Sequence, residues 1–159
     1  MKKRIVCILV TLGLAGFFSL FFLARITNNF KLNKFAKQLY DMELPGNLVI
    51  VEKNEICGKL NGNGNSMDFL ACLLIKSDRN KAELESLLDN VNFKCIGNDE
   101  KICVNKEVVK VDGEILQSKY LQHETIKFES LAEETNFSDY YAMVIYDGGY
   151  SSNFDIRGH

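Results

Sequence analysis

Twenty consecutive residues, Ile5 to Ala24, carry no charge, and only Thr11, Gly13, Gly16 and Ser19 interrupt their apolar character. A helix rises about 1.5 Å per residue, so this run covers roughly 30 Å, the thickness of a bilayer's hydrocarbon core. Lys2, Lys3 and Arg4 precede it directly and Arg25 closes it. The pattern predicts an uncleaved transmembrane signal-anchor over residues 1–25, with residues 5–24 in the bilayer. A cleaved signal peptide is a second reading, but its apolar region runs about 7–15 residues and ends in a small-x-small site. The candidate here, Phe22-Leu23-Ala24, places a bulky Phe where a small side chain is needed. A buried helix of a soluble protein is the third reading.

The charges divide at the same place. Four of the 19 Lys and Arg lie at or before Arg25, and none of the 21 Asp and Glu does, so the 134 residues that follow carry −6 against −2 for the whole chain. An acidic soluble part argues against nucleic acid as a partner, because phosphate binding needs a basic surface. The length suits one modest domain plus a span, and it excludes a large multidomain enzyme or a multi-span transporter.

Basic residues flank the run on both sides, with Arg25, Lys31, Lys34 and Lys37 following it, so the positive-inside rule does not decide the topology. Two features favour an extracytoplasmic C-terminal domain. The N-terminal charges are packed against the start of the run, and Cys57, Cys72, Cys95 and Cys103 form an even set suited to an oxidising exterior.

After the run, residues 26–46 read as a juxtamembrane helix or a solvated stalk, with Phe35 and Leu39 four apart and Pro45-Gly46 as the break. Residues 47–159 read as the domain proper. Leu48 begins a strand reaching about Leu60. Met67 to Lys76 is a strand apolar on both faces, with Met67, Phe69, Ala71, Leu73 and Ile75 on one and Leu70, Cys72 and Leu74 on the other. Asn80 and Glu83 form a capping box, and Leu84, Leu87, Leu88 and Val91 follow at helical spacing. Phe93–Ile96, Ile102–Val111, Thr125–Phe128 and Tyr140–Tyr146 read as further strands, and Leu131–Thr135 as a helical turn. The expected fold is α+β: an N-terminal transmembrane helix, then a small, mostly antiparallel sheet of five to six strands with one main packing helix.

Three groups of residues carry possible chemistry. Lys59, Asn61, Gly62, Asn63, Gly64, Asn65 and Asp68 form an Asn-Gly block between two strong strands. Its plain reading is a hairpin loop. Its sharper reading is a ligand loop whose backbone amides, aided by Lys59, form a nest for a carboxylate or phosphate. A calcium loop is disfavoured, since only Asp68 is anionic and no bidentate Glu follows. No Gly-Lys-Ser/Thr closes the block, so it is not a Walker-type phosphate-binding loop.

The cysteines are the second group. Cys57 with Cys72, and Cys95 with Cys103, are candidate local disulfides, each pair centred on a turn. Buried free thiols, Cys72 above all, are the alternative. Zinc is disfavoured without Cys-x-x-Cys spacing, and no metal or cofactor is expected.

Third, the ending brings Asp147, Asp155, Arg157 and His159 close in sequence. They converge if the tail folds back, or they remain a hairpin turn and a surface ion pair. His123 reads as exposed. No serine sits in a nucleophile-elbow context, and no carboxylate pair is spaced for hydrolysis.

The block Cys57 to Asn65, with Met67 and Leu74-Ile75-Lys76-Ser77, resembles a group of small membrane-anchored proteins of low-GC Gram-positive bacteria. Asp147-Gly148-Gly149-Tyr150 and Asp155-Ile156-Arg157-Gly158-His159 resemble the same group. The likeness covers most of residues 45–159 and implies a Gram-positive cell surface. The group has no assigned activity, so no catalytic residue transfers from it. The resemblance makes the Asn-Gly block and the Arg-Gly-His tail the first places to look for a site.

The functional expectation is a tethered binding or interaction module of the cell envelope, engaging an envelope protein or small ligand. The alternative is a small envelope enzyme or ligand sensor using the Asn-Gly loop and the tail. An accessory subunit contacting its complex through the span gains little support, because Gly13 and Gly16 are three apart rather than four.

Overall fold

The computed structural model describes residues 2–97 and 104–159, without the side chains of residues 2 and 5–7. The N-terminal apolar run and the residues after it form one helix, α1 (Lys2–Tyr40), of 39 residues and roughly 58 Å. In its first half Leu9, Leu12, Phe18 and Leu23 are exposed on all sides of the helix. By length and composition this helix is long and apolar enough to cross a membrane.

The helix does not stop at Arg25. Residues 26–40, within the 26–46 segment expected as a juxtamembrane helix or stalk, continue it without interruption. Leu32, Phe35, Ala36 and Leu39, spaced to share one face, are buried in the core of the domain. Tyr40 ends α1 by donating its hydroxyl to Glu55. A non-helical segment containing Pro45-Gly46 then leads to the sheet.

The sheet has four antiparallel strands: β1 (Val49–Gly58), β2 (Met67–Lys76), β3 (Asn105–Lys110) and β4 (Tyr140–Tyr150), in the order β1-β2-β4-β3. The helix α2 (Lys81–Asp89) follows β2 and starts at the capping box: Glu83 N–H donates to Asn80 Oδ1 at 3.1 Å, and Asn80 N–H to Glu83 Oε2 at 3.3 Å.

Among the described residues the sheet therefore has four strands rather than the expected five to six. Phe93 and Ile96 are buried in the core but lie outside the named strands. The 125–128 segment contributes only an isolated bridge between Ile115 and Lys127. Their apolar character comes from packing over the sheet, a signal that strand pairing shares. The start of the Ile102–Val111 strand lies outside the described residues, and β3 is its remainder. The expected helical turn is a single 3-10 turn at Glu129–Leu131.

Two cores flank the sheet, and β2 serves both, as its two-sided apolarity predicts. Phe69, Ala71, Leu73 and Ile75 face α1 and α2 with Phe35, Leu39, Leu84 and Leu88. Leu70, Cys72 and Leu74 face the irregular 111–137 layer with Leu116, Phe128 and Leu131. Glu52 on β1 ties that layer down, accepting from Ser130 N–H at 2.9 Å and Ser130 Oγ at 2.7 Å. The packing therefore has three layers: helices, sheet and loop.

The sheet has two distinct ends. Gly58, Met67 and Tyr150 lie at the end from which the apolar half of α1 departs; Val49, Lys76 and Tyr140 lie at the other.

Candidate functional site

At the near end the Asn-Gly loop and the C-terminal tail meet α1. The loop leaves β1 after Gly58. Lys59 N–H donates to the Arg157 carbonyl at 2.6 Å, and a Cβ on Gly58 would lie 3.0 Å from that oxygen. On the other side of the loop, a Cβ on Gly158 would lie 2.9 Å from the Ser66 carbonyl and 2.4 Å from Ser152 Cβ, so this position accepts only glycine.

Asp68 is the brace of the loop. Its Oδ2 accepts from the N–H groups of Leu60 and Asn61, each at 3.1 Å, and its Oδ1 accepts from Gly149 N–H at 2.9 Å. Tyr146 also bonds this buried carboxylate; burial first and then Asp68 push its phenol well above the ordinary range. Asn63, Gly64 and Asn65 are exposed, Lys59 and Asn61 half-exposed, and Gly62 turns the chain at φ 77°. Gly62 is pinned from outside, its carbonyl 2.7 Å from His123 Nε2. His123 is exposed as expected, yet it is engaged.

The tail folds back, but onto α1. Asp155 is buried and accepts from Asn28 Nδ2 at 3.0 Å, and from Arg157 through Nη2 at 2.7 Å and Nε at 3.0 Å. Burial acts to raise the Asp155 pKa, and the hydrogen bonds from Arg157 and Asn28 outweigh it, leaving the carboxyl at about 2. Arg157 spans onward to Asn29 Oδ1 at 2.9 Å. His159 Nε2 lies 3.1 Å from Ser152 Oγ. Asp147 is taken up separately, accepting from Ile96 N–H at 2.7 Å and Tyr150 OH at 2.6 Å.

The structure thus brings loop and tail together through their backbones, while the carboxylates expected to do chemistry are saturated by internal hydrogen bonds. Among the described residues, no group of three His, Cys, Asp or Glu side chains can hold a metal. The participation of Asn28 and Asn29 is invisible to local reading, since they lie 127 or more residues from the tail and no spacing signals the contact.

The proposed Cys57–Cys72 disulfide is overturned: both are free and buried. In the β1–β2 register Cys57 stands opposite Phe69 and Cys72 opposite Asn54. Cys57 joins the helix-side core and Cys72 the other, so the sheet separates their sulfurs. Burial is the leading cause that pushes both thiols above the usual cysteine range. Cys95 is disulfide-bonded, and Cys103, its expected partner, lies outside the described residues.

No protein-family model matches the chain, and neither a curated protein nor a solved structure is significantly similar to it.

Proposed function

We propose that the protein is a single-pass, membrane-tethered binding or interaction module of the bacterial cell envelope, with its domain on the extracytoplasmic side. The observation that carries this reading is that α1 is shared: its apolar half suits a bilayer and its last turns are core of the domain. A flexible tether lets a domain search, whereas a continuous helix holds it at fixed height and orientation over the membrane. Such fixed presentation suits a partner that is itself held in the envelope. The disulfide at Cys95 supports an oxidising compartment.

The enzyme or sensor alternative has less support. Asp68 and Asp155, the carboxylates it would use, are buried and engaged in bracing the loop and tail.

The test is a Lys81→Cys variant, exposed at the start of α2, at the far end of the sheet. An impermeant maleimide should label it on intact cells, and the protein should stay in the membrane fraction through a carbonate wash. Labelling only after lysis refutes the extracytoplasmic side, and release by carbonate refutes the anchor.

A further inference from the structure

The turn that carries the tail latch faces the wrong way for water. Within Phe154-Asp155-Ile156-Arg157, the acidic side chain is buried and the arginine folds back to Asn29 and the Arg25 carbonyl. The apolar residues that alternate with them point outward, Phe154 44% and Ile156 67% exposed. A turn in water normally hides its apolar side chains and hydrates its charges. Here the polar groups hold the turn in place and the apolar ones are presented. The residues on either side are constrained too, with Asn153 in the left-handed region at φ 49° and Gly158 closed in by Ser66 and Ser152.

The height of this turn follows from its contacts with α1. The Phe154 ring packs edge-on against Phe21, centroids 5.7 Å apart. Phe21 lies one helical turn before Arg25, inside the apolar run, and so roughly 6 Å deeper than the charge that closes it. Phe154, Asp155 and Ile156 form with Phe21, Phe22 and Arg25 a largely apolar cleft of about 200 Å³, the Asp155 carboxylate being held by Arg157 and Asn28.

We propose that the 153–157 turn is a second membrane contact, with Phe154 and Ile156 inserted at the boundary between phospholipid headgroups and acyl chains. The cleft holds the headgroup end of one acyl chain, with the phosphate level with Arg25. The occupant is lipid because the cleft is continuous with the lipid-facing surface of α1 and ends at its closing cation. Interfacial insertion of this kind reaches roughly 5–10 Å into the boundary region, which matches the level of Phe21. The inference rests on the reading that α1 spans the bilayer.

The chain contains no tryptophan, so each single-Trp variant of the full-length protein is its own depth reporter. Phe154→Trp, Ile156→Trp, Leu14→Trp in the span and Lys81→Trp at the far end are reconstituted in vesicles of phosphatidylcholine and phosphatidylglycerol. The lipids are brominated either near the headgroup or near the chain end. Lipid brominated near the headgroup should quench roughly half the emission at positions 154 and 156 and little at 81, as insertion at that depth requires. Chain-end bromine should quench Leu14→Trp. If both tail reporters behave like Lys81→Trp while Leu14→Trp is quenched, the tail contact is overturned and the span stands. If Leu14→Trp escapes both lipids, the spanning reading fails; quenching at 154 and 156 would then uphold the contact alone, and its absence would remove both.

Discussion

Asn28 on α1 donates its side-chain amide to Asp155 Oδ2 at 3.0 Å, a buried hydrogen bond between residues 127 positions apart. With the bonds from Arg157 to Asn29 Oδ1 and the Arg25 carbonyl, it ties the tail to α1. Asp155→Ala leaves Asn28 without its acceptor and removes a carboxylate that accepts charge-assisted bonds. It should lower unfolding stability by roughly 2–3 kcal/mol, measured by denaturant titration in detergent micelles. Asn28→Ala removes one neutral donor and should cost about 1 kcal/mol. If the two variants are equally mild, the tail is not held by this latch.

The same carboxylate sets an acid response. Its folded pKa, about 2, lies below the ordinary value of 3.8. A depressed folded pKa contributes stability that is fully present above the unfolded value and is lost as pH falls through the folded one. The tail should therefore stay docked at neutral and mildly acid pH and loosen between about pH 4 and pH 2. Protease sensitivity at the tail, read by a brief pulse of a protease active at each pH, should rise in that window. In Asp155→Asn it should be high already at pH 7, with no further step attributable to this group.

The two halves of α1 should answer to different solvents. Phe35 is fully buried against the sheet, and Phe35→Ala should destabilise the domain by about 3–5 kcal/mol. Leu12 is 63% exposed in the apolar half, and Leu12→Ala should leave domain unfolding unchanged within about 0.5 kcal/mol. Equal effects would mean that the helix does not divide its role between bilayer and core.

Periodicity made the middle of the fold legible. Met67–Lys76 is apolar on both faces because it is a central strand between two cores, and Asn80 with Glu83 marked the start of α2. The continuity of α1 was not legible, because Arg25, Asn28 and Asn29 look like a membrane exit from their polarity alone. Two of them are polar for another reason: they receive the tail. Phe93–Ile96 and 125–128 look like strands in the sequence because burial by packing and burial by pairing leave the same alternation in a short segment. The Asn-Gly loop lies between two strands, as its composition predicts, but the role of Asp68 depends on Gly149, 81 residues away.

The free thiols give a direct chemical check. Cys57 and Cys72 are buried on opposite faces of the sheet and their thiols are held above the usual range chiefly by burial. Neither should react with a small maleimide at pH 7 in the folded protein, and both should react on denaturation without reductant. Reductant should release Cys95 and the thiol bonded to it, both seen by mass after alkylation. An unreduced protein lacking reactive Cys57 and Cys72 after denaturation would restore the disulfide between them.

Asp68 provides the sharpest separation between a structural and a ligand-binding loop. Three backbone amides, from Leu60, Asn61 and Gly149, donate to its buried carboxylate, and that geometry already consumes the only anion of the Asn-Gly block. In Asp68→Asn the amide keeps one acceptor oxygen and turns donors toward N–H groups, so at least one amide loses its partner. The expected cost is roughly 1–3 kcal/mol, with faster amide exchange across residues 60–65 by mass spectrometry. Asn63→Ala, on the exposed crest, should change neither stability nor exchange beyond its own position. If Asn63→Ala destabilises as much as Asp68→Asn, the crest is packed against something, and the loop would have to be reconsidered as a contact surface.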